Sequence, residues 1–205
     1  MYNSEHGQDQ WLNEHVFRNS AGGVFVEFGA LDGVTHSNSF FFESQLGWRG
    51  LCIEANPCSF GRLTHNRKCS VDNRAVYSHP GLVNFTQFDG GLYGWSGIEE
   101  AIEPEHWDRI KKNIPSENQK VVQVPCDTLD KILRDHSITE IDYLSADAEG
   151  AEEAIFKVFP FDKYPVHIID CENNWDNESL RSIFREAGYT MISRLGPNDI
   201  WEKKT

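Results

Sequence analysis

The stretch Val24-Phe25-Val26-Glu27-Phe28-Gly29-Ala30-Leu31-Asp32-Gly33 joins an apolar run to an acidic turn that carries two glycines. A short apolar run closed by glycine reads as a buried strand followed by a tight turn. Two later stretches end in the same way. They are Gly50-Leu51-Cys52-Ile53-Glu54-Ala55-Asn56-Pro57 and Ile141-Asp142-Tyr143-Leu144-Ser145-Ala146-Asp147-Ala148-Glu149-Gly150. In an open parallel sheet, ligands bind beyond the carboxyl ends of the strands. Three such ends bearing carboxylates therefore predict one acidic cleft.

Outward from these strands the pattern alternates strand and helix, which predicts an α/β sheet with helices on both faces. A helix is expected over residues 9–17, then a strand over 24–28. A short helix over 37–46 is capped by Ser37 or Asn38, with Phe40-Phe41-Phe42 as core. A strand over 51–54 leads to Asn56-Pro57, an N-cap with proline at the first helical position. Strands follow over 70–76 and 82–88, and the second half brings a strand over 121–124. Asp127 or Thr128 then caps a helix. Strands over 141–146 and 166–171 alternate with helices over 151–158 and 178–187. Two runs, 189–195 and 199–202, flank Gly196-Pro197-Asn198 and read as a closing antiparallel hairpin. No repeat or second domain interrupts the order, so the 205 residues are expected to form a single domain.

The net charge of −13 disfavours nucleic acid and anionic membrane surfaces as partners. No run approaches the roughly 20 apolar residues of a membrane span, and the first residues lack the basic and apolar segments of a signal peptide. Five cysteines without a CxxC spacing argue against a zinc site or disulfide framework and for a reducing, cytoplasmic compartment.

The first turn is spaced Gly-x-x-x-Gly, not as a dinucleotide fingerprint, and Glu27 and Asp32 would repel a pyrophosphate. A cationic or neutral ligand suits it better. Glu54 stands where an acidic residue binds ribose hydroxyls, or it simply ends its strand. Asp72-Asn73 is expected to address an adenine edge, since Asn both donates and accepts. An adenosine-containing ligand without a phosphate requirement follows.

These residues resemble the FkbM family of S-adenosylmethionine-dependent methyltransferases. The resemblance runs from Gly7-Gln8-Asp9 through residues 24–39, Gly47 to Pro57, Asn73-Arg74-Ala75-Val76, Thr128-Leu129-Asp130 and 142–152 to Gly188-Tyr189. Leu31 departs from the middle glycine of many methyltransferases outside the family, and Ser39 stands where Thr is expected. The resemblance implies a Rossmann-like class I methyltransferase fold, its seven-stranded, mostly parallel sheet ending in the hairpin. It also implies O-methylation of a hydroxyl, often on a sugar or small metabolite. The expected cofactor contacts are Glu27, Gly29, Ala30, Asp32 and Gly33 in the turn, Ser37 and Asn38 beyond it, Glu54 and Ala55, Asp72 and Asn73, and Asp147.

An acidic cleft complements a sulfonium, and the acceptor hydroxyl needs a base. Asp147 and Glu149 would share a face if their strand continued, and paired carboxylates raise one pKa. Glu149 also reads as a cap for the next helix. His36 is a further candidate base, or a loop histidine. Glu172 and Asn173 offer hard oxygen ligands suited to Mg²⁺, or hydrogen bonds to a polar substrate. Tyr93, Trp95 and Ser96, in the glycine-rich segment 89–97, are expected to form a lid or a carbohydrate-stacking wall, or to serve only as anchors. Two other readings stay open: a methyltransferase-like scaffold without catalysis, and a nicotinamide-dependent oxidoreductase.

Overall fold

The computed structural model describes residues 1–88, 93–102, 104–115 and 118–204, with 106 and 111 by their backbone only. Asp89 to Leu92 of the glycine-rich segment therefore lie outside the described residues.

The chain opens with α1 (Gln8–Leu12), continued by a π-helical turn, Asn13–Phe17. β1 (Val24–Phe28), α2 (Phe40–Leu46), β2 (Arg49–Ile53), α3 (Pro57–Asn66) and β3 (Ser70–Asp72) follow. Next come β4 (Ala75–Val76), β5 (Gly81–Phe88), a 3₁₀ turn at Tyr93–Trp95, β6 (Gly97–Ile98), α4 (Pro104–Asn113) and β7 (Gln119–Asp127). The last part comprises α5 (Leu129–Asp135), β8 (Ile141–Ala146), α6 (Glu152–Val158), β9 (Val166–Glu172), α7 (Glu178–Glu186), β10 (Tyr189–Leu195) and β11 (Asn198–Lys203).

A seven-stranded sheet has the order β10-β11-β9-β8-β1-β2-β3. Its pairs are parallel except where β11 meets β9 and β10, which is the expected hairpin. β1 is buried along its whole length, as a central parallel strand covered on both faces must be. From β1 the chain builds outward to β3, returns to β8 beside β1, and builds out the other way. The switch point between β1 and β8 opens a crevice at their carboxyl ends.

The strand expected over 70–76 is broken in two. β3 stays in the main sheet, whereas β4 pairs with β7 in a second sheet of order β4-β7-β5-β6. The break has a local cause. Asn73 Nδ2 donates to the Glu54 carbonyl at 2.7 Å, and the Arg74 guanidinium folds back on the Asp72 carboxylate at 2.7 Å. β5 and β7, both legible as strands, belong to this second sheet. Alternation shows that a run is extended but not which neighbour it pairs with.

One face of the main sheet buries Val26, Leu51, Ile53, Leu144, Phe156 and Trp201 in a cluster that continues to Val83 and Val124 of the second sheet. The other buries Phe25, Cys52 and Tyr143 against Leu12, Phe41, Phe42 and Trp48, so two residues of the Phe40-Phe41-Phe42 run serve the core, while Phe40 is half-buried with Arg67 over its ring. Each such aliphatic or aromatic side chain contributes about 1.5–3 kcal/mol relative to exposure. A third cluster, Phe88, Ile102, Ile110 and Ile114, with Trp95 and Trp107 against it, joins α4 to the second sheet. Among the described residues, no helix is long and apolar enough to cross a membrane.

Candidate functional site

Gly29 follows β1 at φ +75°, and a Cβ there would overlap the backbone carbonyl of Asp147. The ends of β1 and β8 thus pass so closely that only glycine fits. Leu31 also turns through positive φ, and its N–H donates to Glu54 Oε2 at 2.7 Å. The second oxygen of Glu54 accepts the Asn56 N–H at 2.7 Å. Burial pushes the Glu54 carboxyl up to about 7, against the pull of these two donors. Asp32 closes the turn by accepting from the backbone of Val34 and Thr35 and from the Thr35 hydroxyl. Partial burial opposes ionisation there, but these donors outweigh it and hold the carboxyl below its usual range.

Glu27 does not contribute free negative charge as expected. Its carboxylate accepts Ser37 Oγ at 2.9 Å, Asn38 N–H at 2.7 Å and Ser39 Oγ at 2.6 Å, and Arg67 stands 3.3 Å away. Glu27 is 3% exposed, so this shell of donors answers the cost of burying its charge. Ser37 is likewise committed to Glu27 and Arg67. Asn38 borders the crevice, its amide donating to Ser145 at 3.0 Å.

A cavity of about 690 Å³ lies over the switch point. Glu27, Gly29, Ala30, Asp32, Ser37, Asn38, Glu54, Ala55 and Asp147 border it, as do His36, Glu149, Tyr93, Trp95, Ser96 and Glu172. Gly33, Asp72, Asn73 and Asn173 do not. Gly33 instead leaves room for Arg67, whose Cγ would stand 2.6 Å from a Cβ at that position. Asp72 is bound by Arg74 and His136, and Asn73 by the carbonyls of Glu54 and Ala55. The adenine edge expected from Asp72-Asn73 is thereby corrected. Beside Ala55 the wall is apolar, made by Ala75, Val76, Phe85 and Ile98 of the second sheet.

The opposite end of the cavity is acidic. β8 stops at Ala146, so Asp147 and Glu149 do not continue a strand. Glu149 adopts φ +51° in a turn, and this turn brings both carboxylates to the wall. Packed protein around Asp147, and then the Glu152 charge, push its carboxyl up to about 8, while a hydrogen bond from Glu172 opposes the rise. Burial and the neighbouring carboxylates also raise Glu149 and Glu172 well above the carboxylate range. Like charges this close favour sharing a proton. Glu152 holds the turn that precedes α6: its carboxylate accepts Ala148 N–H at 2.6 Å and Gly150 N–H at 3.0 Å.

Oxygens of Asp147, Glu152 and Glu172 lie within 4.8 Å of one another. Asn173, expected beside Glu172 as a Mg²⁺ ligand, is not among them: it gives its side chain to Asp199 and Asn177. His36 stands at the mouth, more than half exposed, at φ +58° and 3.4 Å from Glu5. Tyr93 and Trp95 form part of the roof, stacked by Arg62 and Arg109, each 4.4 Å from a ring centroid. Gly97 lets the roof approach the Glu149 side chain. Phe85, Ile98, Arg62 and Arg109 escape sequence reading because their ordinary spacing carries no ligand signal.

Residues 27–191 match the methyltransferase FkbM domain. In structure the chain is similar to a precorrin-6y C5,15-methyltransferase from Geobacter metallireducens GS-15, with a TM-score of 0.48 and 12% identity over 96% of this chain and 89% of that one. It is also similar to the METTL16 MTase domain, with a TM-score of 0.50 and 14% identity over 95% of this chain and 65% of that one. The human methyltransferase 10 domain containing protein gives 0.44 and 14% over 95% and 79%. At such identity the likeness to the METTL16 MTase domain speaks for the fold alone. No curated protein matches the chain.

Proposed function

Because the chain belongs to the FkbM methyltransferase family, an S-adenosylmethionine-dependent group, we propose that it methylates a hydroxyl of a sugar or other small metabolite, the whole chain acting as one cytoplasmic catalytic domain. One observation carries this reading. Glu54 and the acidic cluster around Asp147 open onto a single cavity of about 690 Å³ at the switch point of the sheet, within the range of small-molecule sites.

The residues at hand fit the cofactor. Glu54 has spent one lone pair per oxygen on Leu31 and Asn56, and a carboxylate keeps further acceptor sites for ribose hydroxyls. The apolar wall of Ala55, Val76, Phe85 and Ile98 suits an adenine ring. When bound, S-adenosylmethionine supplies a methyl group on a cationic sulfur, which leaves as a neutral thioether. Asp147 accepts the acceptor's hydroxyl proton, and Glu172, hydrogen-bonded to it, stabilises the protonated pair. Tyr93 and Trp95 cover an acceptor and exclude water. Positioning of this kind lowers such barriers by roughly 7–11 kcal/mol.

Calorimetric titration with S-adenosylhomocysteine, followed by an assay of its release from S-adenosylmethionine across hydroxylated sugars and metabolites, tests the proposal. Binding without turnover on any hydroxyl acceptor would leave a scaffold instead. Preference for NAD in the same titration would return the oxidoreductase.

A further inference from the structure

We propose that Arg67 is a positioning residue that sets the shape of the cofactor-binding loop; the proposal rests on the methyltransferase reading above. Arg67 follows α3, does not border the cavity, and its side chain is fully buried. One terminal nitrogen, Nη1, donates to the Gly33 carbonyl at 3.0 Å, Ser37 Oγ at 3.2 Å and Glu27 Oε2 at 3.3 Å. The other, Nη2, donates to Ser39 Oγ at 2.8 Å, and Nε donates to Glu43 on α2. The guanidinium therefore grips segment 33–39 at both ends and at Ser37 between them.

The same segment presents Thr35, His36, Ser37 and Asn38 to the cavity. Its geometry is not held by regular secondary structure: among the described residues it joins a turn to α2 with an isolated bridge between His36 and Ser4. Gly33 makes the grip possible, because any side chain there would meet the Arg67 stem. Two carboxylates, Glu27 and Glu43, face this one cation, so its charge is compensated in place. Burial alone lowers an arginine's pKa, but Cys52, Glu27, Cys69 and Glu43 around it outweigh the burial and Arg67 stays firmly protonated.

A planar fork can serve several acceptors in fixed directions, whereas a lysine is a point charge with three donors. The fork thus transmits the position of β1, through Glu27, to a loop that lines the site. A residue that merely stabilised the fold would not do this. Its loss would loosen the sheet and the loop together, with no selective change at 33–39.

Arg67→Lys keeps the charge and removes the fork. Hydrogen exchange resolved by peptide and calorimetric titration with S-adenosylhomocysteine read the outcome. The expected result is faster exchange confined to residues 33–39, unchanged protection in β1 and β8, and S-adenosylhomocysteine binding weakened about tenfold, the loss of one charge-assisted hydrogen bond. Affinity within twofold of the parent with unaltered loop exchange overturns the proposal, and so does a uniform rise in exchange across the sheet. Should Arg67→Lys fail to fold, Ser39→Ala removes one anchor of the same fork and is judged by the same two criteria. If the unmodified protein does not bind S-adenosylhomocysteine, the cofactor reading falls, while the exchange comparison still decides whether Arg67 holds the loop.

Discussion

At the residue scale, the proposed mechanism gives Glu54 the ribose and Asp147 the acceptor proton, and substitutions separate the two roles. Glu54→Gln keeps one acceptor oxygen for the two backbone N–H groups now served by the carboxylate. One donor is left unsatisfied, costing about 1–3 kcal/mol. S-adenosylhomocysteine binding, measured by calorimetry, is expected to weaken at least about tenfold because the ribose partner is lost. Asp147→Asn removes the base and leaves the cofactor wall in place. Turnover should fall about 10²- to 10⁴-fold, with S-adenosylhomocysteine affinity changed far less. With Asp147 raised to about 8, only its deprotonated form accepts the proton. The parent's turnover should therefore climb with pH and level off above about 8; a profile flat between pH 6 and 9 would refute this role for Asp147.

At the scale of elements, the site is set by where strands end and how closely they approach. Gly29→Ala forces a methyl group into the Asp147 carbonyl and demands positive φ of an alanine. The ends of β1 and β8 must separate, so the thermal midpoint should drop and S-adenosylhomocysteine binding should vanish together. The cap of α3 gives the opposite signature. Asn56 accepts the Cys58 N–H at 3.0 Å and reaches Ser96 in the roof at 3.5 Å. Asn56→Ala should cost about 1 kcal/mol of stability, measurable by denaturant unfolding, with a smaller loss of affinity than Glu54→Gln.

Across the whole molecule, the buried carboxylates make stability depend on pH in an unusual direction. Burial raises Glu54 to about 7, Asp147 to about 8 and Asp170 to about 6. The folded chain thus holds protons that the unfolded chain has already released between about pH 4 and 8. Because the native state binds more protons there, stability falls as pH rises through this window. Groups shifted downward, such as Glu153 at about 2, act only below about pH 4.5. Scanning calorimetry should show the thermal midpoint falling by about 5 °C or more between pH 5.5 and 8.5. A midpoint rising over that range would contradict the raised carboxylates.

Much of this architecture was legible in residue order, because periodicity and turn chemistry are local properties. Val24 to Phe28, the Asn56-Pro57 cap, the closing hairpin about Gly196 and the acidic ends at Glu54 and Asp147 all announce themselves within a few residues. What the tertiary structure alone decided concerns partners distant along the chain. Glu27 is neutralised by Arg67, 40 residues on, so a carboxylate that looked available to a ligand supports a loop instead. Asp72 and Asn73 turn inward, Asn173 is taken up by Asp199, and the apolar wall of the cavity beside Ala55 comes from β4, β5 and β6 of the second sheet. Local sequence fixes which backbone runs extend or coil, since torsional preference is paid residue by residue. The direction in which a buried charge points depends on which opposite charge or donor the fold brings beside it, and that is a property of packing.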